Sequence, residues 1–243
     1  IANLSGVPIN EVATGKFIED DEKNQRVHEA VSKIEEMPYN YVSVAGKPFE
    51  QIVNIIKRWI IQDVKQDENG RTNECVVVYD YLKLMSSNSI TNNIQEYQAL
   101  GFQITNLHNL AVKYDFPCLS FVQLNRDGIT KESTDAVSGS DRLIWLCTSF
   151  SIFKIKSPEE LAEDGPRAGN RKLVPIVSRH GAGLDDGDYI NVRMHGEYAR
   201  LEELRTRNEF LVMPVDDIGL IEGEDLDNIN EEVEQDGLEE DQK

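Results

Sequence analysis

The stretch Cys75-Val76-Val77-Val78-Tyr79-Asp80 decides how this sequence folds. Three consecutive valines and a tyrosine make a β-branched and aromatic run, and the next residue is a carboxylate. Successive side chains point to opposite sides of a strand. An unbroken apolar run therefore predicts a strand covered on both faces, as in a parallel sheet. A second such run, Pro117-Cys118-Leu119-Ser120-Phe121-Val122, ends in Gln123-Leu124-Asn125-Arg126. Between the two, Ile94, Tyr97, Ile104, Leu107, Ala111 and Tyr114 recur at helical spacing. Upstream, residues 8–14 read as the end of a short helix stopped by Gly15, and residues 21–36 as a helix with Val27, Ala30, Val31 and Ile34 on one side. Tyr39 to Val44 reads as a strand. Pro48 opens a helix with Phe49, Ile52, Ile56, Trp59 and Ile60 in one stripe. Further strands are expected near 150–156, 172–179 and 188–195. This alternation predicts an α/β fold, a mainly parallel twisted sheet with helices on both faces.

The 243 residues are 40 % apolar, enough to build the core of one large domain or two small ones. The formal net charge of −19 excludes nucleic acid held over the whole surface, so any such contact has to be local. The charge is uneven: Pro214 to Lys243 holds thirteen Asp or Glu against one Lys, a net of −12. With few apolar residues and no aromatics, that stretch cannot offset its ordering entropy. The expected division is a folded part over 1–205 and an acidic, disordered tail over 206–243. Cys75, Cys118 and Cys147 have neither disulfide nor zinc spacing and read as small core residues. His28, His108, His180 and His195 are scattered and suggest no metal site. Trp59 and Trp145 read as core anchors. No run approaches the ~20 apolar residues of a membrane span, and no signal peptide precedes the first helix. A first residue of Ile rather than Met reads as a processed chain or a fragment.

In open parallel sheets, ligands bind at the carboxyl ends of the strands. Asp80 closes the first buried strand there and resembles a Walker B carboxylate, held rigidly where it can order the water shell of a Mg²⁺. An Asp that merely caps a strand end is the plainer reading of that residue alone. Gln123 closes the second strand, where an amide can meet a γ-phosphate; an exposed loop amide is the plainer reading. Two polar strand ends in consecutive βα units strengthen each other. Ser120 and Ser138 have no adjacent base, so nucleophilic catalysis has no support.

These residues carry a family resemblance. Val78-Tyr79-Asp80-Tyr81-Leu82-Lys83-Leu84-Met85, a helix, Phe116-Pro117 and Gln123-Leu124-Asn125-Arg126 resemble the ATPase domain of DnaB-type replicative helicases, especially phage members. Ser138-Gly139-Ser140, Ile176-Val177-Ser178-Arg179-His180-Gly181 and Gly196-Glu197-Tyr198-Ala199-Arg200-Leu201 follow in the family's order, as does Ala13-Thr14-Gly15 upstream. The resemblance spans roughly residues 1–203 and implies a RecA-like fold, incomplete at its N-terminus. It implies a homo-hexameric ring that unwinds duplex DNA by moving on single-stranded DNA, driven by ATP with Mg²⁺, in the cytoplasm (the host's, if phage-encoded). It makes Asp80 the Mg²⁺ carboxylate, Gln123 the γ-phosphate sensor and Arg179 the arginine finger that reaches a neighbouring subunit's nucleotide. It makes residues 86–93 and 127–138 pore loops, with Arg126, Gly128 and Lys131 on the DNA. Its acidic tail reads either as a solvating appendage, the commoner case, or as an arm that meets a primase, polymerase or helicase loader, as the resemblance implies.

The sequence departs from the family in three places. It contains no G-x-x-x-x-G-K-[ST]; its one Gly-Lys pair followed by an aromatic, Gly15-Lys16, leads into Phe17. In the family, the phosphate loop and the water-activating glutamate lie N-terminal to the matching region. The chain is accordingly expected to be inactive alone and to need a missing N-terminal helicase part. Val177 stands where the family commonly has Lys two residues before the finger, which leaves Arg171 and Lys172 as alternatives to Arg179. Lys83 replaces a frequent Gln, a change the site tolerates. A different RecA-type ATPase, such as a recombinase or KaiC-like protein, is the competing motor. A catalytically silent RecA-like scaffold acting through the tail is the competing class.

Overall fold

The structure, a computed structural model, describes residues 1–82, 96–123 and 141–212. Both expected pore loops, residues 86–93 and 127–138, lie outside the described residues, as does the acidic stretch 213–243. The helices are α1 (Ala2–Ser5), α2 (Ile9–Thr14), α3 (Asp21–Glu36), α4 (Phe49–Trp59), α5 (Glu96–Tyr114), α6 (Asp141–Leu146), α7 (Pro158–Asp164) and α8 (Arg207–Val212). The strands are β1 (Val77–Leu82), β2 (Cys118–Val122), β3 (Ser149–Ile155), β4 (Arg171–Ser178), β5 (Ile190–His195) and β6 (Arg200–Thr206). Two compact units share the described residues, one drawn from 1–35, 153–174 and the part from 184 onward, the other from 36–152 and 175–183.

The second unit is built on β1 and β2, which pair in parallel with Val77 opposite Cys118, Val78 opposite Leu119 and Tyr79 opposite Ser120. Helix α4 supplies the apolar stripe that its spacing predicts, with Phe49, Ile52 and Ile56 buried. Phe49 meets Tyr79 and Phe102 edge-on, with ring centroids 6.3 and 6.5 Å away, so α4, β1 and α5 close on one aromatic cluster. The covering is one-sided. Val77, Tyr79 and Leu82 are buried, whereas Val78 is 57 % exposed, Leu119 52 % and Phe121 47 %. Among the described residues, nothing buries the other side. Residues 39–44 form no strand either, and Tyr39, Tyr41 and Val42 are exposed. Among the described residues, their apolar alternation finds no neighbouring strand to complete a ladder.

The α/β class with a parallel strand pair stands, but the remaining strands are not all parallel. They form a sheet in the order β3-β4-β5-β6, with β4–β5 and β5–β6 antiparallel. The cause is short connections. β5 reaches β6 through the turn Gly196–Tyr198 and Ala199, whose φ of 49° reverses the chain. A parallel return needs a crossover of a dozen residues or more.

The first unit has a charged centre. The Lys156 side chain is 0 % exposed and that of Asp164 1 %, with Nζ donating to the Asp164 carboxylate at 2.7 Å. The same ammonium donates to the Asn191 Oδ1 at 2.5 Å and the Ala168 carbonyl at 3.0 Å. Asp164 also accepts from the Tyr189 hydroxyl at 2.6 Å and from Arg207 Nε at 3.2 Å. Lys172 pairs with Glu160, whose other oxygen closes a capping box with Ser157 at the start of α7. Asp188 accepts from the Asn208 amide at 3.0 Å, capping α8. Helix α8 lies within the stretch that composition assigns to the tail, and these contacts account for its order. Gly169 is needed for this packing: a Cβ there would stand 2.5 Å from the Val192 carbonyl oxygen, and its φ is +75°.

Burial pushes the Asp164 carboxyl up, but the bonds from Lys156 and Tyr189 and the charge of Arg207 outweigh it and hold it below the ordinary carboxylate range. Its folded pKa is therefore lower than its unfolded one. The resulting stability is present above the ordinary carboxylate pKa and is lost as pH falls through the depressed value. Asp164→Asn leaves the Lys156 ammonium buried without a countercharge, and should cost about 3–5 kcal/mol in urea unfolding at neutral pH. The difference from the parent should shrink as the pH is taken below the carboxylate range.

Candidate nucleotide-binding strand ends

The site is defined by where β1 and β2 end. The two strands run parallel with no strand between them, so they finish at the same edge. Asp80 is the fourth residue of β1. It shares the exposed side with Val78, two positions earlier, and the buried side goes to Tyr79 and Leu82. The register shifts between Tyr79 and Leu82, and the Asp80–Tyr81 peptide is cis. Gln123 follows the last residue of β2 and shares the alternation of Leu119 and Phe121, which are exposed. Because Val78 and Leu119 are register partners, those two series lie on one face. β1 thus runs two residues past Asp80, which was expected to close it; Asp80 and Gln123 share a face of one strand pair toward its carboxyl edge, Asp80 within β1 and Gln123 just past β2.

The carboxylate of Asp80 makes no hydrogen bond or ion pair with any described residue. That contrasts with Asp164 and Asp188, which are held by several donors. A carboxylate that is fixed by its strand and left open to water suits a hard cation. Mg²⁺ keeps several waters and takes one or two carboxylates together with substrate phosphates. The donor set present, one such carboxylate with a neighbouring amide, fits that ion. No cluster of three or more metal-ligating side chains occurs among the described residues.

Arg179 lies just past β4, exposed, and its side chain is engaged within its own unit. Nε donates to the Cys147 carbonyl at 2.8 Å, and Nη2 to the carbonyls of Ile144 and Trp145 at 3.0 and 3.1 Å. It thus caps the C-terminal end of α6. This cap was not legible in the sequence, where α6 and Arg179 are far apart. Of the alternative cations, Lys172 is buried against Glu160, and Arg171 Nη1 donates to the Asn170 carbonyl at 3.2 Å. Trp145, expected in the core, is 69 % exposed. The three cysteines are half-buried free thiols, and burial pushes each up from its ordinary value; at Cys147 the charge of Arg179 opposes this. Arg126, Gly128 and Lys131 lie outside the described residues.

In open parallel sheets, ligands bind outside the carboxyl ends of the strands, the edge toward which Asp80 and Gln123 lie. The family is given by comparison: the DnaB-like helicase C terminal domain matches residues 1–138, and the chain belongs to that family. Asp80 and Gln123 fall inside the matched span. Two solved structures share the fold. One is a separate ATPase domain, 13 % identical, with a TM-score of 0.66 over 84 % of this chain and 68 % of that one. The other is a DnaB-like replicative helicase described with its interactions with primase, also 13 % identical with a TM-score of 0.66, over 84 % of this chain and 46 % of that one. The match thus spans under half the length of that second structure. No curated protein matches.

The aromatic cluster under β1 is what fixes the strand end. Phe49→Ala should destabilise the chain by about 3–5 kcal/mol in denaturant unfolding. An unchanged midpoint would show that the cluster does not anchor β1.

Proposed function

We propose that this chain is the C-terminal portion of an ATP-dependent replicative DNA helicase. Membership of the family supports the class, and the observation that carries the site is the shared face and edge of Asp80 and Gln123. In this reading Asp80 holds Mg²⁺ through water, Gln123 meets the γ-phosphate, and Arg179 reaches the nucleotide of the next subunit in a homo-hexameric ring. The bound ion would neutralise charge on the phosphates as the terminal one leaves. Asp80 has to stay ionised and fixed, Gln123 has to present its amide at the same edge, and Arg179 has to bring a cation to the phosphate.

The nucleotide is only half enclosed. The apolar face of Val78, Leu119 and Phe121 is the side of a parallel pair that such sheets ordinarily cover, which supports a further polypeptide part carrying the glycine-rich phosphate loop. Arg126, Gly128 and Lys131 are proposed contacts to single-stranded DNA, through phosphates rather than base edges. The acidic tail is proposed to meet a basic surface on a replication partner; the helicase of the second solved structure is described with a primase, and a polymerase or loader has the same requirement. No helix among the described residues is long and apolar enough to cross a membrane, and a cytoplasmic place goes with the replicative role.

The purified chain, mixed with a polypeptide that supplies the phosphate-loop part, should regain DNA-stimulated ATP hydrolysis. Asp80→Ala should abolish it, and Arg179→Ala should lower it by about 10³–10⁵. Binding to single-stranded DNA should weaken steeply with salt. A complemented preparation that assembles and still hydrolyses nothing would favour the scaffold alternative.

A further inference from the structure

We propose that Arg179 has two alternative positions, one on helix α6 and one on a phosphate, and that taking the second undoes the first. The phosphate's source rests on the nucleotide reading above; the rest comes from the contacts of Arg179 itself. Helix α6 has six residues, too few to persist by itself. Its final carbonyls need donors from outside the helix. Arg179 supplies them through Nε and Nη2, to Cys147, Ile144 and Trp145, and places a positive charge at the negative end of the helix. Its own amide donates to the Thr148 carbonyl at 3.0 Å, so main chain and side chain hold the same corner.

All three acceptors are neutral. A phosphate adds an opposite charge and a bidentate geometry that these carbonyls lack, so a phosphate within reach outcompetes them. Guanidinium grips phosphate through two parallel N–H groups, and both edges of the fork that can do so include Nη2. A bidentate grip therefore draws Nη2 away from Ile144 or Trp145. The side chain is exposed, so an anion has access to it. Arrival of a phosphate at Arg179 thus loosens the end of α6 and its joint with β3. In this capacity Arg179 is a positioning residue for its own subunit as well as a cation for the neighbouring one.

Hydrogen exchange on the full chain tests this. The amide of Cys147, bonded to the Leu143 carbonyl at 3.0 Å, is the reporter. Arg179→Ala should speed its exchange about tenfold, the factor expected from one or two net hydrogen bonds. Arg179→Lys keeps the charge but has no planar fork and should also exchange fast. Inorganic pyrophosphate should speed the reporter in the wild-type chain, relative to sodium chloride of equal ionic strength, and add nothing in Arg179→Ala. A reporter equally protected in Arg179→Ala overturns the cap. Wild-type exchange that pyrophosphate leaves unchanged overturns the exchange of positions, and needs no variant to be read. Protection retained in Arg179→Lys overturns the fork argument. The nucleotide reading fails by a different measurement, hydrolysis by the complemented helicase that survives Asp80→Ala.

Discussion

Two parallel strands, covered on one side among the described residues, set the terms for everything at the candidate site. A parallel pair offers its carboxyl ends together, so residues from distant parts of the sequence reach one edge without any loop having to carry them there. Phe49, Tyr79 and Phe102 hold β1 from below, and the rigidity of that contact is passed along the strand to Asp80. The alternation that buries Tyr79 also turns Asp80 outward. One physical choice, which face of β1 meets α4, therefore fixes both the packing and the direction of the carboxylate.

The first unit solves a different problem. It places an ammonium and a carboxylate where water does not reach, and each needs several partners to be tolerable there. Lys156 has three, from α7, the following turn and β5. Asp164 has three as well, in Lys156, Tyr189 and Arg207. Such a network specifies geometry more than it adds stability, because apolar packing can replace the whole set, whereas removing one member strands the others. It explains why α7, β5 and α8 keep a fixed arrangement although none of them has a strong apolar stripe.

Some of this was readable in the residues and some was not, for definable reasons. The β-branched runs located β1 and β2, and the spacing of Phe49, Ile52 and Ile56 located α4 together with its buried side. Asp80 and Gln123 stood out because a polar residue ending an apolar run breaks a pattern. The one-sided cover could not be read, since a continuous apolar run looks the same whether its second face is covered or bare. Tyr39–Val44 has strand composition without a strand partner among the described residues, and composition does not report partners. The direction of β5 and β6 depended on connection length rather than on their residues. Lys156 and Asp164 carry no mark in the sequence, because nothing local distinguishes a charge with three buried partners from one in water.

The contrast between the two kinds of acidic residue bears on the site. Asp164 and Asp188 have their oxygens taken up by protein donors, and their positions follow from those donors. Asp80 gives none to any described residue, yet its position is equally fixed, by the strand that carries it. A structural carboxylate is located by what it binds; a carboxylate located by its backbone alone has its oxygens available. In a chain of net charge −19, an open acidic group is ordinary on a solvated loop. Within a packed strand, toward the carboxyl edge that Gln123 also reaches, it stands on the side of the sheet where parallel strands ordinarily meet ligands.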